Sequence, residues 1–218
     1  MTRTTLTRRA VSLALRLLAR RRVTGLENIP RQGPCLLVFN QMSVFDTPLL
    51  SVMVPREDVT GLVARDYRRN PIYRVLIEWG GGMWIRRNSG DRAALRAGLG
   101  ALRRGCALGI SPEGRRSPTG ALVPGKPGPA FLARRSGAPI VPVAFANTEN
   151  MAASLKRLQR PVIEIRVGPP FALPPAQGAT PKERLRDDTD RIMCRIAALL
   201  PPRYHGAYAD HPYLRSCP

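Results

Sequence analysis

Pro34-Cys35-Leu36-Leu37-Val38-Phe39 runs without interruption into Asn40-Gln41-Met42-Ser43-Val44-Phe45-Asp46. The first six residues are apolar at every position, the pattern of a strand buried on both faces, as parallel sheets require. The polar stretch that follows lies where such a strand ends. Working outward, the same arrangement recurs. Val59 to Ala64, Met83-Trp84-Ile85 after a triple glycine, Cys106 to Ile110, Ala138 to Ala146 and Val162 to Val167 read as further strands. Thr47 to Val54, Asn70 to Trp79, Asp91 to Arg104 with Asp91 as its cap, and Pro129 to Arg135 read as helices between them, and Pro181 to Leu200 as a long terminal helix. Strands alternating with helices predict an α/β fold: one domain with a mixed, largely parallel sheet flanked by helices.

The chain has 218 residues, enough for one sizeable core. Its formal net charge is +20, carried almost entirely by arginine, with lysine only at Lys126, Lys156 and Lys182. Such an excess arises from a general bias toward arginine or from attraction to an anionic partner: a membrane surface, a phosphorylated ligand or a nucleic acid. The aromatic residues are few and not interleaved with the arginines, and no helix-turn-helix or zinc finger is present, so no specific nucleic-acid function is expected. Residues 1–22 contain no acidic side chain and end in Arg20-Arg21-Arg22. On a helix, Thr5, Arg9, Ser12, Arg16 and Arg20 form a polar stripe, and Leu6, Val11, Leu13, Leu15, Leu17 and Leu18 cover most of the rest. This predicts an amphipathic helix lying in the headgroup layer of an anionic membrane, with the main domain at 23–218. A helix docked on the protein's own core is the alternative. No apolar run reaches the roughly 18 residues of a spanning helix, so membrane contact is expected to be peripheral. Cys35, Cys106, Cys194 and Cys217 are scattered without C-x-x-C spacing, which suggests reduced thiols, no zinc site and a position at the cytoplasmic face.

A second polar run, Ser111-Pro112-Glu113-Gly114-Arg115-Arg116-Ser117, also follows an apolar strand. Side chains at the C-terminal ends of neighbouring parallel strands converge at one sheet edge, where ligands bind. Pro112 and Gly114 suit a tight turn, and Arg115 and Arg116 carry planar forks that match phosphate. The two runs together resemble the acceptor-site signature of the glycerolipid acyltransferases, the family that acylates lysophosphatidic acid. That family writes the first run N-H-x-S-x-x-D and the second x-P-E-G-T-R-S. Gly81-Gly82-Met83-Trp84-Ile85-Arg86-Arg87 resembles its third element, G-x-x-x-I-x-R, and Ala138-Pro139-Ile140-Val141-Pro142-Val143 its fourth. Pro124-Gly125-Lys126-Pro127-Gly128 fits the basic loop between the second and fourth.

The resemblance implies transfer of an acyl group from acyl-CoA or acyl-carrier protein to the hydroxyl of a lysophosphatidate-like acceptor, without metal or cofactor. It implies Asn40, Ser43, Arg87, Glu113, Gly114, Arg115, Arg116 and Ser117 as substrate-binding residues, with Asp46 and position 41 as the catalytic pair. A hydroxyl is a poor nucleophile, and histidine supported by a carboxylate five residues on removes its proton near neutral pH. Here position 41 is Gln41, whose amide has no useful basicity. Activity is therefore expected to be weak or lost, and a catalytically silent lipid-binding homologue is the alternative. The only histidines, His205 and His211, would have to fold back over the site to replace it.

Overall fold

The computed structural model describes residues 12–14, 16–69, 74, 77, 82–85, 92–175 and 180–217. Seven strands form one sheet: β1 (Arg20–Thr24), β2 (Cys35–Phe39), β3 (Val59–Ala64), β4 (Gly82–Ile85), β5 (Ala107–Ile110), β6 (Ile140–Ala146) and β7 (Val162–Val167). Their spatial order is β1-β7-β6-β2-β5-β3-β4. Every neighbouring pair is parallel except β6 with β7, which is antiparallel. The helices are α1 (Asp46–Met53), α2 (Arg92–Arg103), α3 (Gly128–Ser136), α4 (Met151–Lys156), α5 (Pro181–Ala197) and α6 (Pro212–Arg215).

The apolar run at 35–39 is the middle of this sheet, and all five residues are buried. Because side chains alternate across a strand, Leu36 and Val38 face one helical layer and Cys35, Leu37 and Phe39 face the other. The first layer contains Leu102, Leu132, Ile192, Met193 and Ile196 from α2, α3 and α5. The second contains Leu49, Leu50 and Met151 from α1 and α4. Each fully buried leucine or isoleucine contributes about 1.5–3 kcal/mol, so the central strand alone anchors both cores. The long helix α5 begins at a capping box: Thr180 Oγ1 accepts from Glu183 N at 3.3 Å and Glu183 Oε2 accepts from Thr180 N at 2.9 Å. Arg134 on α3 forks onto the buried Asp188 of α5, with contacts of 2.8 and 2.7 Å that couple the two helices.

The sheet matches the largely parallel arrangement expected, with several differences in detail. The helix expected through residue 22 gives way to β1 at Arg20, because Arg20–Thr24 pair in register with Val162–Arg166 at the sheet edge. Residues 12–14 and 16–18 are helical. Helix α4 has no strong amphipathic signal over its six residues and was not anticipated; the terminal helix stops at Ala197 rather than Leu200. Arg87, Asp91, most of the helix expected at 70–79 and the segment before residue 12 lie outside the described residues. No described helix is long and apolar enough to cross a membrane.

One buried cation closes the sheet end at which β2, β3 and β5 begin. Arg56 is 6 % exposed. Its Nη1 donates to Pro30 O at 2.9 Å and Gly33 O at 2.7 Å, and its Nη2 to Gly105 O at 2.8 Å. Nε and Nη2 also fork onto Asp58. The guanidinium thus fastens the turns leading into three central strands. Arg56→Met should lower stability by about 1–3 kcal/mol, since those partly buried carbonyls lose their donors. Urea unfolding measures it, and a loss under about 1 kcal/mol would show the contacts to be dispensable.

Candidate active site

The chain leaves β2 toward β3 on one side, whereas β6 continues to β7 on the other, so the crevice between β2 and β6 is the topological switch point of the sheet. Asn40 stands there, fully buried. Its Nδ2 donates to Phe145 O at 2.9 Å and its Oδ1 accepts from Phe145 N at 2.8 Å. The side-chain amide replaces a backbone rung just beyond the last paired residues of β2. One N–H and one lone pair of the amide are spent on the sheet, so Asn40 positions the turn that follows it.

The backbone then turns, and Asp46 closes the turn. Its Oδ2 accepts from Met42 N at 2.7 Å and Ser43 N at 2.6 Å, and Asp46 itself is fully buried as the first residue of α1. Two donors near a helix N-terminus suit an anion, but burial dominates. It pushes the carboxyl up to about 7, against the Ser43 N–H, the nearby Thr148 hydroxyl and the Met42 N–H, while the charge of Glu149 adds to the rise. Asp46 Oδ1, Thr148 Oγ1 and Glu149 Oε2 are buried without a hydrogen-bond partner among the described residues. Ser43 is also buried, and its Oγ accepts from Phe45 N at 3.4 Å, supporting the same turn.

Gln41 is half-buried at the mouth of this turn, with its main chain held at both ends. Its N–H donates to Glu113 Oε1 at 3.1 Å, and its carbonyl accepts from Ser117 N at 2.8 Å. The first and second motifs are therefore physically joined. Glu113 is 1 % exposed, and its second oxygen accepts from Val123 N at 3.1 Å. Burial raises its carboxyl to about 7, opposed by those two N–H groups and by the charge of Arg115. Glu113 thus clamps three loop segments, because the turn after β5 points its carboxylate inward at backbone donors.

Gly114 turns the chain outward with φ +64°, a left-handed conformation that side chains rarely adopt. A Cβ there would lie 3.2 Å from Lys126 Nζ, so the lysine amine flanks the turn. Arg115 and Arg116 are exposed next to it, and neither makes an ion pair with a described residue. These three cations at one rim can take a phosphate through charge-assisted contacts. The Ser117 Oγ donates to Ala121 O at 2.6 Å.

Neither histidine serves the site. The His205 ring is tied to Leu200 O at 3.0 Å, and His211 accepts from Tyr213 N at the start of α6. The C-terminal segment does fold back, but through a tyrosine that sequence reading did not single out. The Tyr204 carbonyl accepts from Leu122 N at 2.8 Å, and its hydroxyl accepts from Asn147 N and donates to Glu149 Oε1 at 2.8 Å. Thr148 and Glu149, brought to Asp46 by the end of β6, were missed as well. The one available signal was the polar run Asn147-Thr148-Glu149-Asn150 directly after a fully apolar strand.

This geometry meets an independent comparison. The family model described as acyltransferase matches residues 20–146, more than half of the chain. A 1-acyl-sn-glycerol-3-phosphate acyltransferase from Borreliella burgdorferi is 30 % identical over 131 residues, which cover 59 % of this chain and 52 % of the relative. The chain thus spans about half the length of that curated relative. The crystal structure of the 1-acyl-sn-glycerophosphate (LPA) acyltransferase PlsC from Thermotoga maritima superposes with a TM-score of 0.65 at 22 % identity, covering 87 % of this chain and 76 % of that one. The last similarity concerns the fold, which is the same largely parallel sheet. The matched span begins at β1, ends with β6 and takes in both motif turns joined through Gln41 and Glu113: the chain belongs to the acyltransferase family.

Proposed function

We propose that this chain moves an acyl group from a thioester donor, acyl-CoA or acyl-carrier protein, to the hydroxyl of a lysophosphatidate-like acceptor at the cytoplasmic face of an anionic membrane. The observation that carries the reading is the fastening of Gln41 between the Asp46 turn and the Glu113 loop, beside a rim of exposed cations. Exposed Arg115, Arg116 and Lys126 suit the phosphate of such an acceptor. Bound there, its hydroxyl would reach the mouth of the turn at residue 41. Attack of the hydroxyl oxygen on the thioester carbonyl forms the new C–O bond; the C–S bond breaks, and the thiolate leaves and takes up a proton. The hydroxyl's own proton needs an acceptor, and Gln41 offers a carbonyl oxygen that can orient it but not bind it as a base does. Asp46 is sealed from solvent with one oxygen already holding two N–H groups, so it is a poor substitute. Positioning alone then supports slow turnover. The missing base equally favours a second reading, a lipid-binding homologue without turnover, which shares every contact above.

Two experiments separate the contributions. Acyl transfer from labelled acyl-CoA to lysophosphatidate on anionic vesicles should rise by about 10²–10⁴-fold in Gln41→His, the usual share of a general base. A folded variant that gains nothing would mean that the site lacks more than its base. The second concerns Asp46. Between an unfolded-state pKa near 4 and the native value of about 7, the folded protein retains a proton that the unfolded chain has released. Stability therefore falls as pH rises through that window. Asp46→Asn keeps an acceptor for the Met42 and Ser43 N–H groups and cannot ionise. Its urea midpoint should drop less than that of the unmodified chain between about pH 5 and about pH 7.5. Equal slopes would show that Asp46 is not held protonated by the fold.

A further inference from the structure

Helix α4 ends in a way that is hard to explain within the fold. Arg157 is its C-cap, Leu158 N donates to Leu155 O at 3.0 Å, and Gln159 N donates to Ser154 O at 2.9 Å. This pair of bonds is a Schellman motif, in which the residue after the C-cap adopts the left-handed conformation and is usually glycine. Here that residue is Leu158, with φ +55°. Left-handed backbone is unfavourable for a residue with a Cβ. The side chain recovers nothing from packing, since it is 96 % exposed, more than any other large hydrophobic residue described. Nor does it serve the motif's customary apolar contact, which would fall between Gln159 and Ser154. A glycine would suit both backbone and solvent better.

The surroundings show what the leucine can meet. Lys156, Arg157 and Arg160 flank it, all exposed, and no acidic residue occurs between Asn150 and Ile163. Arg160 Nη2 donates to Arg16 O at 2.7 Å, and Arg20 N donates to Pro161 O at 2.9 Å, so the loop abuts the helical residues before β1. There Leu13, Leu17 and Leu18 are 60, 65 and 40 % exposed, and Val162 at the start of β7 is 38 % exposed. Sheet register fixes where this patch lies. Because β7 runs antiparallel to β6, its beginning lies beside the end of β6, with Glu164 opposite Ala146. Strand β1 starts level with it, with Arg20 opposite Val162. The patch therefore occupies the same sheet edge as Asn40, Gln41 and Asp46.

We propose that the loop Arg157–Arg160 is a second lipid-inserting element: Leu158 enters the acyl region of an anionic bilayer while the flanking cations hold its headgroups, presenting the crevice at Gln41 to the membrane. The proposal rests on the membrane reading above and adds to it a site in the main domain. Apolar insertion framed by basic residues is the physical signature of interfacial binding.

The test measures co-sedimentation of the full chain and its Leu158→Gly variant with vesicles of phosphatidylcholine mixed with phosphatidylglycerol, alongside thermal unfolding without lipid. Leu158→Gly should melt at a higher temperature than the unmodified chain, because the left-handed position is relieved, yet partition about tenfold more weakly, the share of one buried leucine. Leu158→Asn, also tolerant of that backbone, should weaken partitioning by a similar factor. If the unmodified chain binds vesicles and both variants bind equally well, the loop is not an insertion element and the segment before β1 acts alone. If the unmodified chain does not bind vesicles, the membrane reading fails with it. A lipid-free dimer that Leu158→Gly dissolves would assign the leucine to a second copy of the chain and overturn the proposal.

Discussion

The paired hydrogen bonds between the Asn40 amide and the backbone of Phe145 are the constraint on which the site depends. At this point β2 must leave the sheet while β6 goes on, and two main-chain groups of β6 would lose their partners in the interior. Leaving either group unpaired there is costly. An asparagine amide presents an N–H and a carbonyl oxygen at the spacing of a peptide group, so it completes the ladder and frees its own backbone to turn. The turn delivers Gln41 to the crevice and leads into the first residue of α1, Asp46. Without the amide, neither position would be fixed relative to β6.

Two carboxylates extend that constraint. Asp46 folds the turn by taking the Met42 and Ser43 N–H groups; Glu113 ties the turn to the loop after β5 and to Val123. Each is almost wholly buried, and for both burial outweighs the N–H groups that favour ionisation. The site is thus held by acids whose charge the interior resists, and exposed cations stand at its rim. Such a division suits the anionic acceptor proposed above, whose phosphate would meet the guanidinium groups in solvent. Residue 41 is held through its main chain, so its side chain can vary without disturbing the architecture.

The sequence made the strands legible where burial on both faces leaves continuous apolar runs, as at Cys35–Phe39 and Ile140–Ala146. The order of motifs fixed which strand ends meet. It did not distinguish residues that touch substrate from residues that hold the loops. Asn40 and Glu113 occupy motif positions, yet their polar atoms face backbone groups 105 and 72 residues away in the chain, or ten residues on at Val123. Pairings at such separations are set by sheet order, which no local pattern encodes. The same holds for Tyr204, which reaches Asn147 and Glu149 from beyond α5, and for Arg56, which reads as one more surface arginine in a basic chain. Strand β1 was hidden for a different reason: Arg20-Arg21-Arg22 looks like the charged end of a helix, and only an edge strand with solvent beside it accepts such a composition.

The two ends of the sheet are built on opposite principles. Where β2, β3 and β5 begin, a single buried guanidinium satisfies the carbonyls of Pro30, Gly33 and Gly105 and is itself neutralised in part by Asp58. Where the central strands finish, polar atoms on Asp46, Thr148 and Glu149 have no hydrogen-bond partner among the described residues, Asn147 and Leu158 occupy left-handed backbone, and Arg115, Arg116 and Lys126 are exposed. Unsatisfied groups and strained residues persist only where the rest of the fold is stable enough to carry them, and they gather where function requires it. Leu158 and Asp46, although one faces solvent and the other the core, are then two expressions of one arrangement. The closed end of the sheet supplies the stability, and the open end holds the side chains on which the proposed lipid and donor contacts rest.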